Sequence, residues 1–252
     1  MPKLTFVGGI HPYDGKDLSK DKPIKAVLPK GDLVFPLSQH IGKPAKPVVK
    51  KNDQVLVGQL IAEANGFISA NVHSSVSGIV TAVEPRPHSK GTDVLSIVIE
   101  NDKQNIPDDS VRPGKPLDEL TPEEIVEIVK DKGITGMGGA GFPTYVKLKP
   151  GKPIDAVLLN GCECEPYLTA DHRMLLEHAD EVIYGLKAIV KAVGAPKGII
   201  VIEDNKPDAI GLMEEKIRDD ETLEVARVRT KYPQGAEKML IKNVMKRIFS
   251  PY

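Results

Sequence analysis

Two different hydrophobic patterns divide this chain, and together they restrict its fold more than any other feature. From about residue 26 to residue 101, short β-type runs such as Val55–Val57, Ile79–Val83 and Val94–Ile99 are separated by turn residues. Beyond residue 118, strand-like apolar runs alternate with segments of helical periodicity. The second pattern is typical of a parallel sheet with crossover helices. The sequence therefore predicts an all-β domain followed by an α/β domain.

The composition divides the chain further. We predict an N-terminal extension over residues 1–25, the all-β domain over 26–101, a polar, proline-rich linker over 102–118 and the α/β domain over 119–252. Residues 1–52 contain 10 Lys, no Arg, 4 Asp and no Glu, a local balance of 10 − 4 = +6. Either a solvated surface or contact with acidic membrane headgroups or an acidic partner subunit explains this charge.

The all-β domain resembles lipoyl and biotinyl domains, which are barrel-sandwich hybrids. The resemblance is carried by the half-motif within Lys51–Ile61 and by the segment Ser74–Val80. Those carriers attach their cofactor to a lysine at a hairpin, but no lysine lies between Lys51 and Lys90. We therefore predict a barrel-sandwich hybrid with a structural role and a possible docking role, and we disfavour a swinging-arm carrier.

The α/β domain is predicted to be Rossmann-like. A capping box of Thr121 and Glu124 begins its first helix, with Pro122 at the first helical position. Gly194 is suited to stop a later helix. The other expected elements are strands at Ile154–Asn160, Gly198–Glu203 and Leu223–Arg229, and helices over Leu175–Val193, Pro207–Arg218 and Gly235–Phe249.

A glycine-rich segment, Gly136-Met137-Gly138-Gly139-Ala140-Gly141-Phe142-Pro143-Thr144, follows the first helix. Four glycines in six residues remove Cβ atoms that would keep a phosphate or a flat ring from the backbone. Their N–H groups can converge on an anion, and Lys147 adds positive charge nearby. A dinucleotide fingerprint needs a strand before its loop, and a phosphate loop needs Lys-Ser or Lys-Thr after its glycines, so neither motif applies. An ordinary connector is the alternative.

A second segment, Asn160-Gly161-Cys162-Glu163-Cys164-Glu165-Pro166, follows a predicted strand, at the edge where open α/β sheets bind ligands. Glu163 and Glu165 are unsuited to phosphate, because like charges about 4 Å apart repel by about 1 kcal/mol even in water. They suit hydroxyl or amide donors, and the Asn160 side chain both donates and accepts. We expect the two segments to form opposite walls of one crevice for a nucleotide cofactor.

Both segments resemble the flavoprotein subunit of respiratory NADH dehydrogenase (complex I), whose FMN loop reads GxGGAGFPT and whose second segment reads N-x-D-E-x-E-P. The chain is more similar to the RnfC family, a subunit family of the Rnf electron-transport complex, which is an ion-translocating oxidoreductase. That similarity is carried by Gly8–Pro12, Leu37–Gly42, Glu84–His88 and Tyr232–Lys238. These segments run from residue 8 to residue 238, so the resemblance covers nearly the whole chain.

The resemblance implies the NADH- and FMN-binding subunit of a membrane-associated, ion-translocating ferredoxin:NAD oxidoreductase complex. Hydride passes between the nicotinamide and FMN, and the flavin exchanges single electrons with iron–sulfur clusters. Other subunits are then direct partners and ferredoxin is an indirect one. No catalytic side chain is expected, because the cofactors perform the chemistry.

The resemblance also implies particular contacts. The glycine segment and Asn160 are expected to hold FMN, whereas Phe142 and Glu165 are expected to contact NADH. Tyr232, Gly235 and Glu237 are expected to approach the flavin or the nicotinamide. The complete expected set for FMN and NAD(H) is Gly136, Gly138, Gly139, Ala140, Gly141, Phe142, Lys147, Asn160, Cys162, Glu163, Glu165, Tyr232, Gly235 and Glu237.

Three departures from the family pattern bear on function. Cys162 stands where the complex I pattern has Asp, and Ala236 stands where it has Glu. The sequence ends at Tyr252, whereas the family continues into a segment that completes the flavin pocket and into CxxCxxCxxxCP clusters. Two cysteines cannot hold a [4Fe-4S] cluster, so clusters are expected only beyond this region. We expect a C-terminally truncated chain that binds FMN weakly or not at all.

Composition excludes several other classes of protein. The net charge of −1 and the absence of Trp give no support to nucleic-acid binding. No run approaches the roughly 20 apolar residues of a spanning helix, and Met-Pro-Lys-Leu-Thr lacks the apolar core of a signal peptide. We expect a cytoplasmic chain without a transmembrane segment, peripheral on the membrane through its complex.

Three alternatives stay open. Cys162, Cys164, His172 and His178 have the ligand types of a zinc site, although their spacing is not that of a zinc ribbon. A non-catalytic scaffold that docks partner subunits is the second alternative. The third is a soluble flavin-dependent relative that reduces a corrin or supplies electrons to a reductase.

Overall fold

The computed structural model describes residues 4–137 and 141–247. It divides into two compact units: Val27–Gly151, here called the β unit, and Met1–Ala26 together with Lys152–Tyr252, here called the α/β unit. These units differ from the predicted domain boundaries in two respects. Residues 1–26 belong with the α/β unit, and residues 102–151 belong with the β unit.

The β unit contains two antiparallel sheets around one apolar core. Its strands are β1 (Leu33–Pro36), β2 (Lys46–Pro47), β3 (Gln54–Val55), β4 (Leu60–Glu63), β5 (Val72–His73), β6 (Gly78–Pro87) and β7 (Asp93–Asn101). One sheet has the order β1-β7-β6-β3 and the other the order β2-β4-β5. Phe35 and Ile97 of the first sheet share a core with Ile61 and Val72 of the second. Inward-facing side chains from two sheets therefore hold this unit together.

Two helices, α1 (Pro122–Asp131) and α2 (Thr144–Lys147), complete the β unit. The predicted capping box is confirmed: Glu124 N donates to Thr121 Oγ1 at 3.2 Å, and Thr121 N donates to Glu124 Oε2 at 2.8 Å. Asn71 Nδ2 donates to Asp131 O at 2.9 Å. Because this bond ties the end of α1 to the β4–β5 connection, the first predicted helix of the α/β domain belongs instead to the β unit.

The α/β unit has a three-stranded parallel sheet with helices on both faces. Its elements are β8 (Val157–Gly161), α3 (Ala170–Glu177), α4 (Ala179–Val193), β9 (Gly198–Glu203), α5 (Pro207–Lys216), β10 (Leu223–Val228) and α6 (Glu237–Met245). The strand order is β10-β9-β8. Ile200 and Ile202 of β9 pack with α3, α4 and α5, whereas Ile199 and Val201 pack with Leu240 of α6. The central strand is thus buried on both faces, as parallel sheets require.

Several element boundaries differ from those expected. The single helix predicted over Leu175–Val193 is two helices, because His178 leaves the helical conformation at φ −128°. Gly194 ends α4 with φ 65°, as predicted. The first strand begins at Val157, three residues later than expected. The last helix is shorter than predicted, ending at Met245, and Phe249 lies outside the described residues.

The N-terminal segment extends the sheet of the α/β unit. Leu4 forms a parallel bridge with Val228, and Ile10 forms an antiparallel bridge with Tyr232. Ile10 and Tyr232 exchange two backbone hydrogen bonds, each of 2.9 Å. The segment predicted as an extension is therefore part of the folded unit. Within the described ranges, no helix has the length and apolarity to cross a membrane.

Candidate functional site

The carboxyl edge of the parallel sheet brings two of the predicted site segments together. Asn160, near the end of β8, donates from Nδ2 to Gly235 O at 2.8 Å. Its Oδ1 accepts from Cys162 N at 3.2 Å. One exposed amide therefore joins the segment that follows β8 to the segment that precedes α6. The remaining Nδ2 proton and the second Oδ1 lone pair stay available to a ligand.

Gly235 is required by a close approach of two backbone segments. A Cβ atom at this position would lie 2.3 Å from Cys162 O and 3.5 Å from Cys164 Sγ. The Gly235 N–H points at Cys164 Sγ, at 3.4 Å. The glycine expected to approach the flavin therefore has an internal reason for lacking a side chain.

A groove of about 710 Å³ lies between β8 and α6. Its apolar wall includes Leu158, Leu240 and Ile241, and Asn160 and Glu237 supply polar atoms. This volume and this combination of apolar wall and few polar groups are typical of sites for small organic cofactors. The groove therefore fits a flat ring system better than it fits a charged diphosphate.

The two glutamates after β8 have different surroundings. Glu163 is 6% exposed, and its Oε1 accepts from Asp171 N at 2.8 Å, in the first turn of α3. Its Oε2 is 3.9 Å from Lys16 Nζ and has no hydrogen-bond partner among the described residues. Glu165 is exposed. Direct contact with a ligand is therefore favoured for Glu165, whereas Glu163 is engaged inside the unit.

Cys162 lies in the apolar core rather than at the groove. It is 5% exposed, packs in the cluster that contains Ile199 and Val201, and directs its Sγ toward Val201 O at 3.7 Å. Burial raises the pKa of its thiol, and Glu203 adds to the shift. The expected cofactor contact of Cys162 is thus not supported by the position of its side chain.

These surroundings predict unequal thiol reactivity. In the native 252-residue chain, we expect DTNB to modify Cys164, which is partly exposed, and to leave Cys162 unmodified, because the thiolate is the reactive form. Denaturant should release the second thiol. Cys162→Ala should retain the fast reaction, and Cys164→Ala should abolish it. A fast reaction that persists in Cys164→Ala would contradict the burial of Cys162.

A buried ion pair lies at the same edge of the sheet. Glu203, the last residue of β9, is 0% exposed, and Lys206 is 1% exposed. Lys206 Nζ is 3.2 Å from Glu203 Oε2 and donates to Asn205 Oδ1 at 2.9 Å. Burial raises the pKa of Glu203, whereas Lys206 opposes the shift. The pair fixes the floor beneath the site segments.

The glycine segment belongs to the β unit, and Gly138, Gly139 and Ala140 lie outside the described residues. Its ends are joined by a bridge between Thr135 and Pro143, and Gly136 N donates to Phe142 O at 2.9 Å. Lys147 Nζ is 5.6 Å from the centroid of the Phe142 ring. The described part of the segment is thus a closed loop with a cation beside an aromatic ring.

Gly141 shows what supports this loop. Its φ is 63°, and a Cβ atom would lie 2.8 Å from Gln39 O and 3.0 Å from His40 Cα. His40 is buried, and its Nε2 accepts from Ala70 N at 3.2 Å. The segment Leu37–Gly42, noted in the sequence without a role, therefore packs against the glycine loop. The local pattern gave no signal for this contact.

Because the glycine segment and Glu165 belong to different compact units, their arrangement as two walls of one crevice stays a prediction. Tyr232, Gly235 and Glu237 lie with Asn160 in the α/β unit.

The zinc alternative is not supported by the geometry. In residues 4–137 and 141–247, no group of three or more His, Cys, Asp or Glu side chains is placed to hold a metal ion. His172 Nε2 instead contacts Asp208 Oδ1 at 2.9 Å, and His178 Nδ1 contacts Glu181 Oε1 at 3.3 Å. Carboxylates outside the cysteine segment therefore engage both histidines.

Two family models match the chain. Residues 4–104 match a model described as the RnfC barrel sandwich hybrid domain, and residues 129–252 match one described as the Nuo51 FMN-binding domain. The matches agree with a β unit of two packed sheets followed by an α/β unit of sheet and helices. The barrel-sandwich hybrid predicted from the sequence is thus confirmed as the family of the first part.

Curated relatives match over almost the whole chain. The chain is 49% identical over 239 residues to the RnfC-type subunit of the Na(+)-translocating ferredoxin:NAD(+) oxidoreductase complex of Acetobacterium woodii, covering 94% of this chain and 54% of the relative. It is 45% identical to the proton-translocating counterpart of Clostridium ljungdahlii, with coverage of 94% and 52%. It is 40% identical to the corresponding subunit of the ion-translocating oxidoreductase complex of Vibrio cholerae, with coverage of 94% and 31%. The chain spans about half the length of the first two relatives.

Proposed function

Since the chain belongs to the RnfC family of the ion-translocating oxidoreductase complexes, we propose that it supplies the FMN- and NAD(H)-binding part of such a subunit. In this role it passes electrons between the nicotinamide, the flavin and iron–sulfur clusters within a ferredoxin:NAD oxidoreductase. The α/β unit acts as a Rossmann-like domain that binds its ligand at the carboxyl edge of the sheet.

The hydrogen bond from Asn160 Nδ2 to Gly235 O carries the proposal. It brings two segments that resemble flavoprotein signatures into contact although they are 75 residues apart in the sequence. The groove of about 710 Å³ beside Asn160 has the apolar wall that an isoalloxazine ring needs. Asn160 and Glu237 supply polar atoms at the groove for the edge of such a ring.

Charge assigns the two ends of the cofactors. The glycine segment offers backbone N–H groups, and Lys147 adds a cation, so this part of the protein binds phosphate. Glu165 is exposed and carries a negative charge, so it faces ribose hydroxyls or a carboxamide. Glu163 supports that loop from within through its bond to Asp171 N.

When bound, FMN exchanges hydride with a nicotinamide and single electrons with iron–sulfur clusters. The residues of this chain bind, orient and shield. Asn160 fixes the ring edge with the donor and acceptor capacity that its internal bonds leave free. Leu158 and Leu240 exclude water from one side of the groove. No side chain of the chain has to transfer a proton.

The partners follow from the same proposal. We place the [4Fe-4S] clusters in the part of the subunit that this chain does not span, because a four-iron cluster needs four thiolates and the chain has two. Other subunits of the complex hold the protein at the cytoplasmic face of the membrane, and ferredoxin exchanges electrons with it indirectly.

A flavin titration tests the proposal. We expect a form extended beyond Tyr252 to bind FMN in the micromolar range or tighter, and the 252-residue chain to bind it more weakly. In the extended form, Asn160→Ala should raise the FMN dissociation constant at least about tenfold, because it removes both the ring contact and the bond to Gly235. Quenching of flavin fluorescence gives the affinity.

Gln104→Ala is the matched control, since Gln104 is an exposed amide in the β unit, and it should leave FMN affinity unchanged. An extended form that is folded but binds no FMN would overturn the proposal and favour a scaffold that docks other subunits. Binding of FMN without oxidation of NADH would instead favour a relative that receives electrons from another donor.

A further inference from the structure

Lys16 is a buried lysine from the N-terminal segment that reaches the segment after β8. It lies in a short 3-10 helix, Lys16–Leu18, and is 7% exposed. Its Nζ donates to Glu165 O at 3.0 Å and also to Leu168 O. The same atom lies 3.9 Å from Glu163 Oε2. One ammonium group therefore contacts three residues of a single loop.

We propose that Lys16 is a positioning residue, which holds the Glu163–Leu168 loop so that the exposed Glu165 carboxylate meets the hydroxyl groups of the nicotinamide cofactor. This inference rests on the proposed function. It assigns to the first twenty residues a part in NAD(H) recognition that their composition does not indicate. Lys16 touches no cofactor in this role and acts through the backbone of the loop.

The geometry separates the two faces of the loop. Because the carbonyl groups of Glu165 and Leu168 accept from Lys16, these backbone groups point into the unit. The side chain of Glu165 is exposed. The backbone is therefore fixed from the inside while the carboxylate is presented to solvent, which is the arrangement needed to orient a ligand without occupying its site.

Further contacts of the N-terminal segment hold the same loop. Tyr167 has φ 67°, and its N–H donates to Asp14 O at 2.6 Å. Its ring meets the Tyr13 ring edge to face at a centroid distance of 6.3 Å. A Cβ atom on Gly15 would lie 2.3 Å from the Tyr167 ring. A residue strained into the left-handed region is thus held by several contacts from one segment.

The charges also favour this role. Burial lowers the pKa of Lys16, and the Glu163 carboxylate is the largest effect that opposes the shift. Glu163 Oε2 has no hydrogen-bond partner in the described part of the chain, so Lys16 provides nearby compensation for its buried charge. Removing the ammonium would free two carbonyl groups and leave that charge less compensated, and the loop would relax toward water.

The test is steady-state kinetics in the assembled complex, with NADH as donor and ferricyanide as acceptor. Lys16→Met should raise the KM for NADH at least about tenfold, because displacement of a binding group by about 1 Å is costly. The kcat and the amount of bound FMN should stay within about twofold of the parent values. Lys20→Met is the matched control, since Lys20 is exposed and pairs only with Asp17 among the described ion pairs. It should change neither constant.

An unchanged KM would overturn the proposal. So would equal losses of KM, kcat and FMN content, which would indicate general damage to the fold. If Lys16→Met does not assemble, Lys16→Gln keeps a shorter donor, and it should give a smaller rise in KM with kcat again preserved. A loss of kcat in that variant with the KM unchanged would also count against the proposal.

Hydrogen exchange separates this inference from the proposed function. If the parent complex does not oxidise NADH, the proposed function fails, and a role of Lys16 in NAD(H) recognition fails with it. Faster exchange of the amides of residues 163–169 in Lys16→Met, but not in Lys20→Met, would then still support loop holding. If the parent complex is active, unchanged exchange in Lys16→Met would overturn the positioning role even though the proposed function stands.

Discussion

Lys206→Met is expected to lower the free energy of unfolding of the 252-residue chain by about 3–5 kcal/mol. Lys206 and Glu203 are almost completely buried, with Nζ and Oε2 3.2 Å apart. Methionine fills a similar volume but leaves the Glu203 carboxylate without its nearest cation. The loss should therefore come from an uncompensated charge more than from a cavity. Urea unfolding at pH 7.5 gives the free energy.

The loss should depend on pH in a defined direction. Burial already raises the pKa of Glu203, and removing Lys206 takes away the charge that opposes the shift. The folded state then binds more protons than the unfolded state between the ordinary glutamate pKa of about 4.3 and the raised value. Stability consequently falls as the pH rises through that window. The loss in Lys206→Met should be smaller at pH 5 than at pH 7.5.

Two comparisons make this prediction specific. Adding Glu203→Leu to Lys206→Met should recover most of the stability, because both charges are then absent from the interior. Lys197→Met breaks the exposed pair of Lys197 with Glu224 and should cost less than about 1 kcal/mol. If Lys206→Met costs no more than Lys197→Met, the pair does not have the stabilising role assigned to it.

Gly235→Ala is the second change with a large expected effect. The new Cβ would lie 2.3 Å from Cys162 O, which is backbone and cannot move by a rotamer change. We expect the free energy of unfolding to fall by about 1–3 kcal/mol, in the range of overpacked sites. The same displacement would separate Gly235 O from Asn160 Nδ2, so FMN affinity of the extended form should fall at least about tenfold.

The control for this change is Gly185→Ala. Gly185 lies in α4, and a Cβ atom there would meet nothing within 4 Å. Alanine at a helix position with free space should raise stability by about 0.5–1 kcal/mol. Thermal unfolding of both variants and flavin titration of Gly235→Ala are the measurements. Gly235→Ala with parent stability and parent affinity would show that the close approach has no consequence.

Features of this fold that depend on neighbouring residues could be predicted from the sequence. The capping box of Thr121 and Glu124 and the helix stop at Gly194 each involve a few adjacent positions. The three strands of the α/β unit followed from apolar runs of the right length. The break at His178 was missed, since apolar residues continue at helical spacing on both sides of it.

The candidate site was predicted less completely, because its details depend on contacts far apart in the sequence. The sequence could not indicate that Lys16 lies beside Glu163, or that Asn160 bonds to Gly235. Glu163 and Glu165 look equivalent in the sequence, yet one is buried and the other exposed. Which side of a loop faces water is decided by what packs against it, and here that is the N-terminal segment.

The bridge between Leu4 and Val228 has a consequence for the order in which the protein folds during synthesis. Residues 27–151 form a continuous stretch with its own core, so this unit can fold while the ribosome is still translating the later strands. The first twenty-six residues cannot yet dock, because the strand edge that receives them is made some two hundred residues later. They emerge first and find their place last.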